Sequence, residues 1–102
     1  MINATVTGNV GKNPEMKQTK TGKAMVVFSL ASNTQRGEEN FTTWIDCVAF
    51  DKLADGIAAQ LGKGMRVVAS GSMTVETFPK KDGSQGSALR MIVNDLGIGV
   101  RS

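Results

Sequence analysis

The chain alternates apolar and polar positions along most of its length. That is the period at which successive side chains of an extended strand point to opposite faces. Ile2 to Val10 sets Ile2, Ala4 and Val6 on one side and Asn3, Thr5 and Thr7 on the other. Ala24 to Ser32 sets Ala24, Val26, Phe28 and Leu30 in one apolar row, which makes Phe28 a core residue. Thr42 to Phe50 divides into Ile45, Cys47 and Ala49 against Trp44, Asp46, Val48 and Phe50. A valine-rich strand runs from Met65 to Ser72, and Met73 to Phe78 continues its alternation. Ser87 to Asn94 returns through Leu89, Met91 and Val93. Between them Asp82-Gly83 is a turn signal, so this pair forms a long hairpin. Leu96 to Val100 is a last apolar run.

One window has a helical period instead. Leu53, Ala54, Ile57, Ala58 and Leu61 make a stripe, with Asp51 placed as N-cap and Gly62 as the stop. Gly56 lowers helix propensity by about 1 kcal/mol, so the helix depends on its docking. Asn13-Pro14 interrupts pairing, and Glu15 to Gln18 reads as a short extended segment. Asn33 to Asn40 has no aliphatic residue and reads as a mobile surface loop. The order is all-β: five long strands, one short helix between strands three and four, and a long hairpin between strands four and five. This predicts a five-stranded Greek-key barrel of the OB type, with residues 1–102 as one domain and strands two and three as its ligand face.

The row Trp44, Asp46, Val48, Phe50 carries the chemistry. Its rings stand about 20 Å apart at roughly 3.3 Å per residue. A core rarely buries a lone carboxylate, so this row belongs on the open face. Two large rings there suit a flat π-faced ligand such as a nucleic-acid base. The alternative exchanges the faces and buries Asp46.

Charge and composition narrow the field. Twelve Lys+Arg against nine Asp+Glu leave a net +3, compatible with a polyanionic partner without demanding one. There is no histidine, so neither Ser-His-Asp nor Cys-His catalysis can be assembled. One cysteine without histidine argues against a zinc site and forbids an intrachain disulfide, which fits a reducing cytoplasm. No phosphate-loop pattern is present, and Glu38-Glu39 lies in a hydrophilic stretch. No enzyme, cofactor or metal is therefore expected, and no membrane span or signal peptide.

Several stretches resemble the bacterial single-stranded DNA-binding proteins. Val6-Thr7-Gly8-Asn9-Val10-Gly11-Lys12-Asn13-Pro14-Glu15 is similar to that family's first strand and turn, and Phe28-Ser29-Leu30-Ala31 to its second strand. Trp44 through Phe50, with Lys52-Leu53-Ala54, resembles its aromatic strand and helix start. Leu61-x-Lys63-Gly64 with Val67-Val68-x-x-Gly71 resembles its entry to the fourth strand. The resemblance spans essentially the whole chain. It implies single-stranded DNA as partner, with Trp44, Phe50 and Phe78 as stacking aromatics and Lys17, Lys52 and Lys63 as basic positions near the strand path. It also implies a homotetramer in the bacterial cytosol or nucleoid, acting in replication, recombination and repair beside partner proteins of those processes. A dimeric OB-fold adaptor of the primosomal type, and a purely structural oligomer, remain open. The chain departs from the family at Gln35, where tryptophan is frequent, and at Glu76-Thr77, where basic residues are usual. It departs again at Asp51, in place of a common glycine, and at Arg101-Ser102, where an acidic tail often follows. Lys80 and Lys81 sit at the hairpin tip, and Lys12, Lys20, Lys23, Arg36, Arg66, Arg90 and Arg101 receive no role.

Overall fold

The computed structural model describes residues 1–99. Val100 and the Arg101-Ser102 ending lie outside the described residues. The elements run β1 (Ile2–Val10), β2 (Glu15–Gln18), β3 (Ala24–Arg36), β4 (Glu39–Phe50), α1 (Asp51–Gln60), β5 (Arg66–Pro79) and β6 (Gln85–Ile98). They form one sheet in the order β1-β5-β6-β4-β3-β2, in which β1 also pairs with β3. That second pairing, Asn9 with Ala31 and Val10 with Leu30, closes five strands into a barrel. The short segment β2 lies outside it, antiparallel to β3. The barrel and its single helix are those expected from the alternation. β4 and β6 are parallel, a pairing that needs a long crossover, and α1 with β5 supplies it.

The inward rows make the core. Val26, Leu30, Ala49, Val67 and Ala69 are wholly buried, with Phe28, Ile45, Cys47, Met91 and Val93 nearly so. Helix α1 packs on β3 and β4 and contributes Ala54 and Ile57, and Leu61 just beyond it is also buried. Ala58, expected in the helical stripe, is exposed. Burial pushes the Cys47 thiol up to about 12, and neighbouring Asp46 adds to the shift.

Three expectations are corrected. Asn33 to Asn40 is not a loop: β3 and β4 stay in register to Arg36 opposite Glu39. The turn is only Gly37-Glu38, with Gly37 at φ +61°. Absence of aliphatic residues signals absence of burial. It says nothing against a ladder whose backbone groups pair with each other while the side chains face water on both sides. Asp51 is not an N-cap. Phe50 holds that position without a side-chain cap bond, and Asp51 lies at φ +60° with its carboxylate 3.6 Å from Lys23 Nζ. Asp is among the few side chains that tolerate this left-handed region. The helix ends ahead of Gly62-Lys63-Gly64, and the left-handed residue of that stop is Gly64, φ +87°. Finally, the runs ending at Asn94 and starting at Leu96 are one strand. Ser70 faces Asp95 and Gly71 faces Val93, so Asn94 is the extra residue of a β-bulge. A side chain at Gly71 would collide with the Ile92 carbonyl.

Candidate nucleic-acid interface

The outward rows of β2, β3, β4, β6 and β5 line up across the curved sheet. Ser29 pairs with Asp46, Asp46 with Arg90, and Arg90 with Thr74. One step along, Glu15, Val27, Val48, Ile92 and Ser72 make a second row. A third joins Lys17, Met25 and Phe50. Together the first two rows floor an open groove of about 560 Å³, with Lys12, Asn13, Lys17 and Glu76 also on its lining.

The aromatics flank that groove. Trp44 and Phe50 lie on one row of β4, with groove residues Asp46 and Val48 between them. Trp44 is 56% exposed, and Ile45 and Cys47 on the other row are buried, so Asp46 lies outside the core. Phe50 is half-buried. Phe78 lies on β5, in phase with Ser72, Thr74 and Glu76 of the groove, and is 45% exposed. Two of the rings rest on glycines. A Cβ at Gly11 would come 2.5 Å from Trp44 Cζ3, and one at Gly86 would come 2.6 Å from Phe78 Cζ. Each ring occupies the space that a side chain on its glycine would need.

The basic residues fall into two groups. Lys17 lines the groove, one strand pair from Met25 and hence close to the Phe50 end. Lys52 stands on the first turn of α1, two residues past Phe50, and Lys63 on the turn into β5; neither lines the groove. The Lys63 backbone N–H donates to Asn13 Oδ1 at 2.9 Å, which holds its turn beside the groove wall. Arg90 and Lys12, given no role from the sequence, do line the groove. Arg90 could have been placed on the outer face, being out of phase with Leu89, Met91 and Val93. Its neighbour Asp46 follows only from the parallel pairing of β4 with β6. Phe41, 46% exposed, was also missed. It is in phase with the core residue Ile45, but the β3–β4 hairpin carries it past the barrel. Among the described residues no group of three metal-ligating side chains is close enough to hold an ion. No helix there is long and apolar enough to cross a membrane.

Comparison with known proteins adds a family to this geometry. A model of the single-strand binding protein family matches residues 1–98. A single-stranded DNA-binding protein of Bifidobacterium longum is 31% identical over 104 aligned residues, 95% of this chain and 48% of that protein. One of Chlamydia pneumoniae is 33% identical over 89 residues, 87% of this chain and 56% of that protein. The chain thus spans about half the length of the curated relatives it matches. Among solved structures, the Plasmodium falciparum SSB in complex with ssDNA superposes with a TM-score of 0.80 at 26% identity, covering 98% of this chain and 96% of that one. A small single-stranded DNA-binding protein from Streptomyces coelicolor shares the fold, with a TM-score of 0.84 at 21% identity over 97% of this chain and 94% of that one.

Proposed function

The chain belongs to the single-strand binding protein family, and on that premise we propose that it binds single-stranded DNA without sequence preference. The observation that carries this reading is the groove flanked by outward aromatics, with Trp44 on the face opposite the core. Bases stack on Trp44, Phe50 and Phe78, each contact contributing on the order of 1–3 kcal/mol. Stacking tolerates any base because every base has a π-face. Lys17 across Met25 from Phe50, Lys52 just beyond Phe50 and Lys63 by the Asn13 wall hold phosphates and release counterions. Residues 1–102 act as one binding domain serving replication, recombination and repair in the bacterial cytosol.

The same reading includes a homotetramer. β1 pairs with β5 from Ile2 to Asn9, but with β3 only at Asn9 and Val10. Among the described residues its other edge therefore has no strand partner from Ile2 to Gly8. An open edge of this length is a template for pairing with a second copy, and closed symmetry removes it.

Tryptophan fluorescence titrated with poly(dT) at two salt concentrations tests the binding. With one tryptophan in the chain, the signal reports on Trp44 alone. A saturable change that weakens with salt is expected. No change at either salt concentration overturns the reading.

A further inference from the structure

The groove is electrically balanced although the chain is not. The chain carries a net +3. Yet Lys12, Lys17 and Arg90 on the groove lining face Glu15, Asp46 and Glu76 on the same lining. The balance is tightest at the centre. Arg90 Nε donates to Glu76 Oε2 at 2.7 Å, a charge-assisted bond between two half-exposed side chains. Asp46 stands opposite Arg90 in the β4–β6 register. Of the three cations on the groove lining, Arg90 alone stands on a long strand, since Lys17 sits on the edge strand β2 and Lys12 on the turn before it. A guanidinium there, on the strand between those that carry Trp44 and Phe78, faces any phosphate that lies over the groove floor. A carboxylate presents the same paired oxygens to it that a phosphate does.

We propose that Glu76 is a built-in competitor for phosphate: it occupies Arg90, so that the central cation of the groove makes no phosphate contact while the pair is closed. This rests on the reading of the groove as a single-stranded DNA site. It assigns Arg90 as a latent phosphate ligand and Glu76 as the residue that limits affinity. Bound DNA then takes its phosphate contacts from the flanking lysines, and only bases pass over the centre.

The test is a double-mutant cycle on the full chain, read by Trp44 fluorescence with poly(dT) across a salt series. Glu76 and Arg90 are both exposed, and a thermal melt verifies that each variant is folded. Glu76→Ala frees Arg90. It should steepen the log–log salt slope by about 0.7, the value for one more phosphate on a single strand. That corresponds to a roughly fivefold gain in affinity between about 1 M and about 0.1 M salt. Arg90→Ala alone should leave the slope unchanged, and the double variant should lose the gain. If Arg90→Ala alone flattens the slope by about 0.7, Arg90 already holds a phosphate and the proposal is wrong. If the double variant keeps the gain, Glu76 acts as a bare repelling charge, and the proposal again fails. Wild-type protein that binds poly(dT) while Glu76→Ala matches it defeats this inference alone. Wild-type protein that does not bind defeats the function on which it rests.

Discussion

Trp44 is held in place by a residue with no side chain. Its indole lies against Gly11, and Ser29 Oγ would stand 3.0 Å from a Cβ there. Gly11→Ala should push the ring off its seat and weaken single-stranded DNA binding without unfolding the barrel. Trp44→Ala should cost about 1–3 kcal/mol of that binding, read by titration with oligo(dT) of fixed length. Phe28→Ala should act on the fold instead, lowering stability by about 3–5 kcal/mol in urea unfolding, since it empties a buried aromatic site. A Trp44→Ala protein that unfolds while residual binding survives would show the faces exchanged. Cys47 gives a pH signature. Its folded pKa, about 12, lies above the ordinary value of 9.0, mainly through desolvation and further through Asp46. The unfolded chain therefore releases this proton first. The stability contributed is whole below about pH 9 and is lost as pH rises toward the folded value. Urea midpoints should fall between about pH 8 and about pH 10, and Cys47→Ala should flatten that fall.

At the scale of elements, the junctions decide more than the strands do. The β4–α1 junction turns on Asp51 at φ +60°. Asp51→Gly should raise stability by up to about 1 kcal/mol by removing a side chain from the left-handed region. The exposed pair with Lys23 that it deletes contributes little by comparison. A lower urea midpoint for this variant would mean the pair outweighs the strain. The β5–β6 bulge turns on Gly71, where a Cβ meets the Ile92 carbonyl. Gly71→Ala should cost about 2 kcal/mol or more, because rigid backbone must move. The hairpin tip is set by its own chemistry: Asp82 accepts from the Ser84 hydroxyl at 2.6 Å and the Ser84 N–H at 3.0 Å. Those bonds, the hydroxyl first, hold its carboxyl below the usual value. This turn was legible from Asp-Gly. The Gly37-Glu38 turn was not, because the strands on either side of it bury nothing and leave no apolar trace.

For the whole molecule, the distribution of charge matters more than its sum. With the groove balanced, phosphate attraction is expected from cations outside its centre. Salt dependence should be shallower than in a relative with basic residues at the Glu76 and Thr77 positions. Lys52→Ala and Lys63→Ala should each weaken binding alike for all sequences and remove about 0.7 from the slope. A base-dependent loss at constant slope would assign those side chains to something other than phosphate. Assembly is expected from the open β1 edge. Sedimentation equilibrium at micromolar protein should give a tetramer. A species of 10.8 kDa with binding intact would overturn that expectation, and a stable dimer would favour the adaptor architecture.

Periodicity alone determined the strands wherever they carry an apolar row, the inward rows of β3 and β4, the helix and its place between β4 and β5. Each follows from side chains spaced two or about 3.6 residues apart, which is local information. The outward placement of Trp44 was equally local, since Asp46 shares its row and a lone carboxylate resists burial. Only the tertiary structure decided what lies beside what. Barrel closure through Asn9 and Val10, the parallel pairing that sets Arg90 against Asp46, and the Glu76–Arg90 bond all join residues from different strands. The glycine seats of Trp44 and Phe78 also depend on strands crossing at one register. Register between distant strands is fixed by closure of the sheet and by a bulge at Gly71, and no short window of sequence contains either.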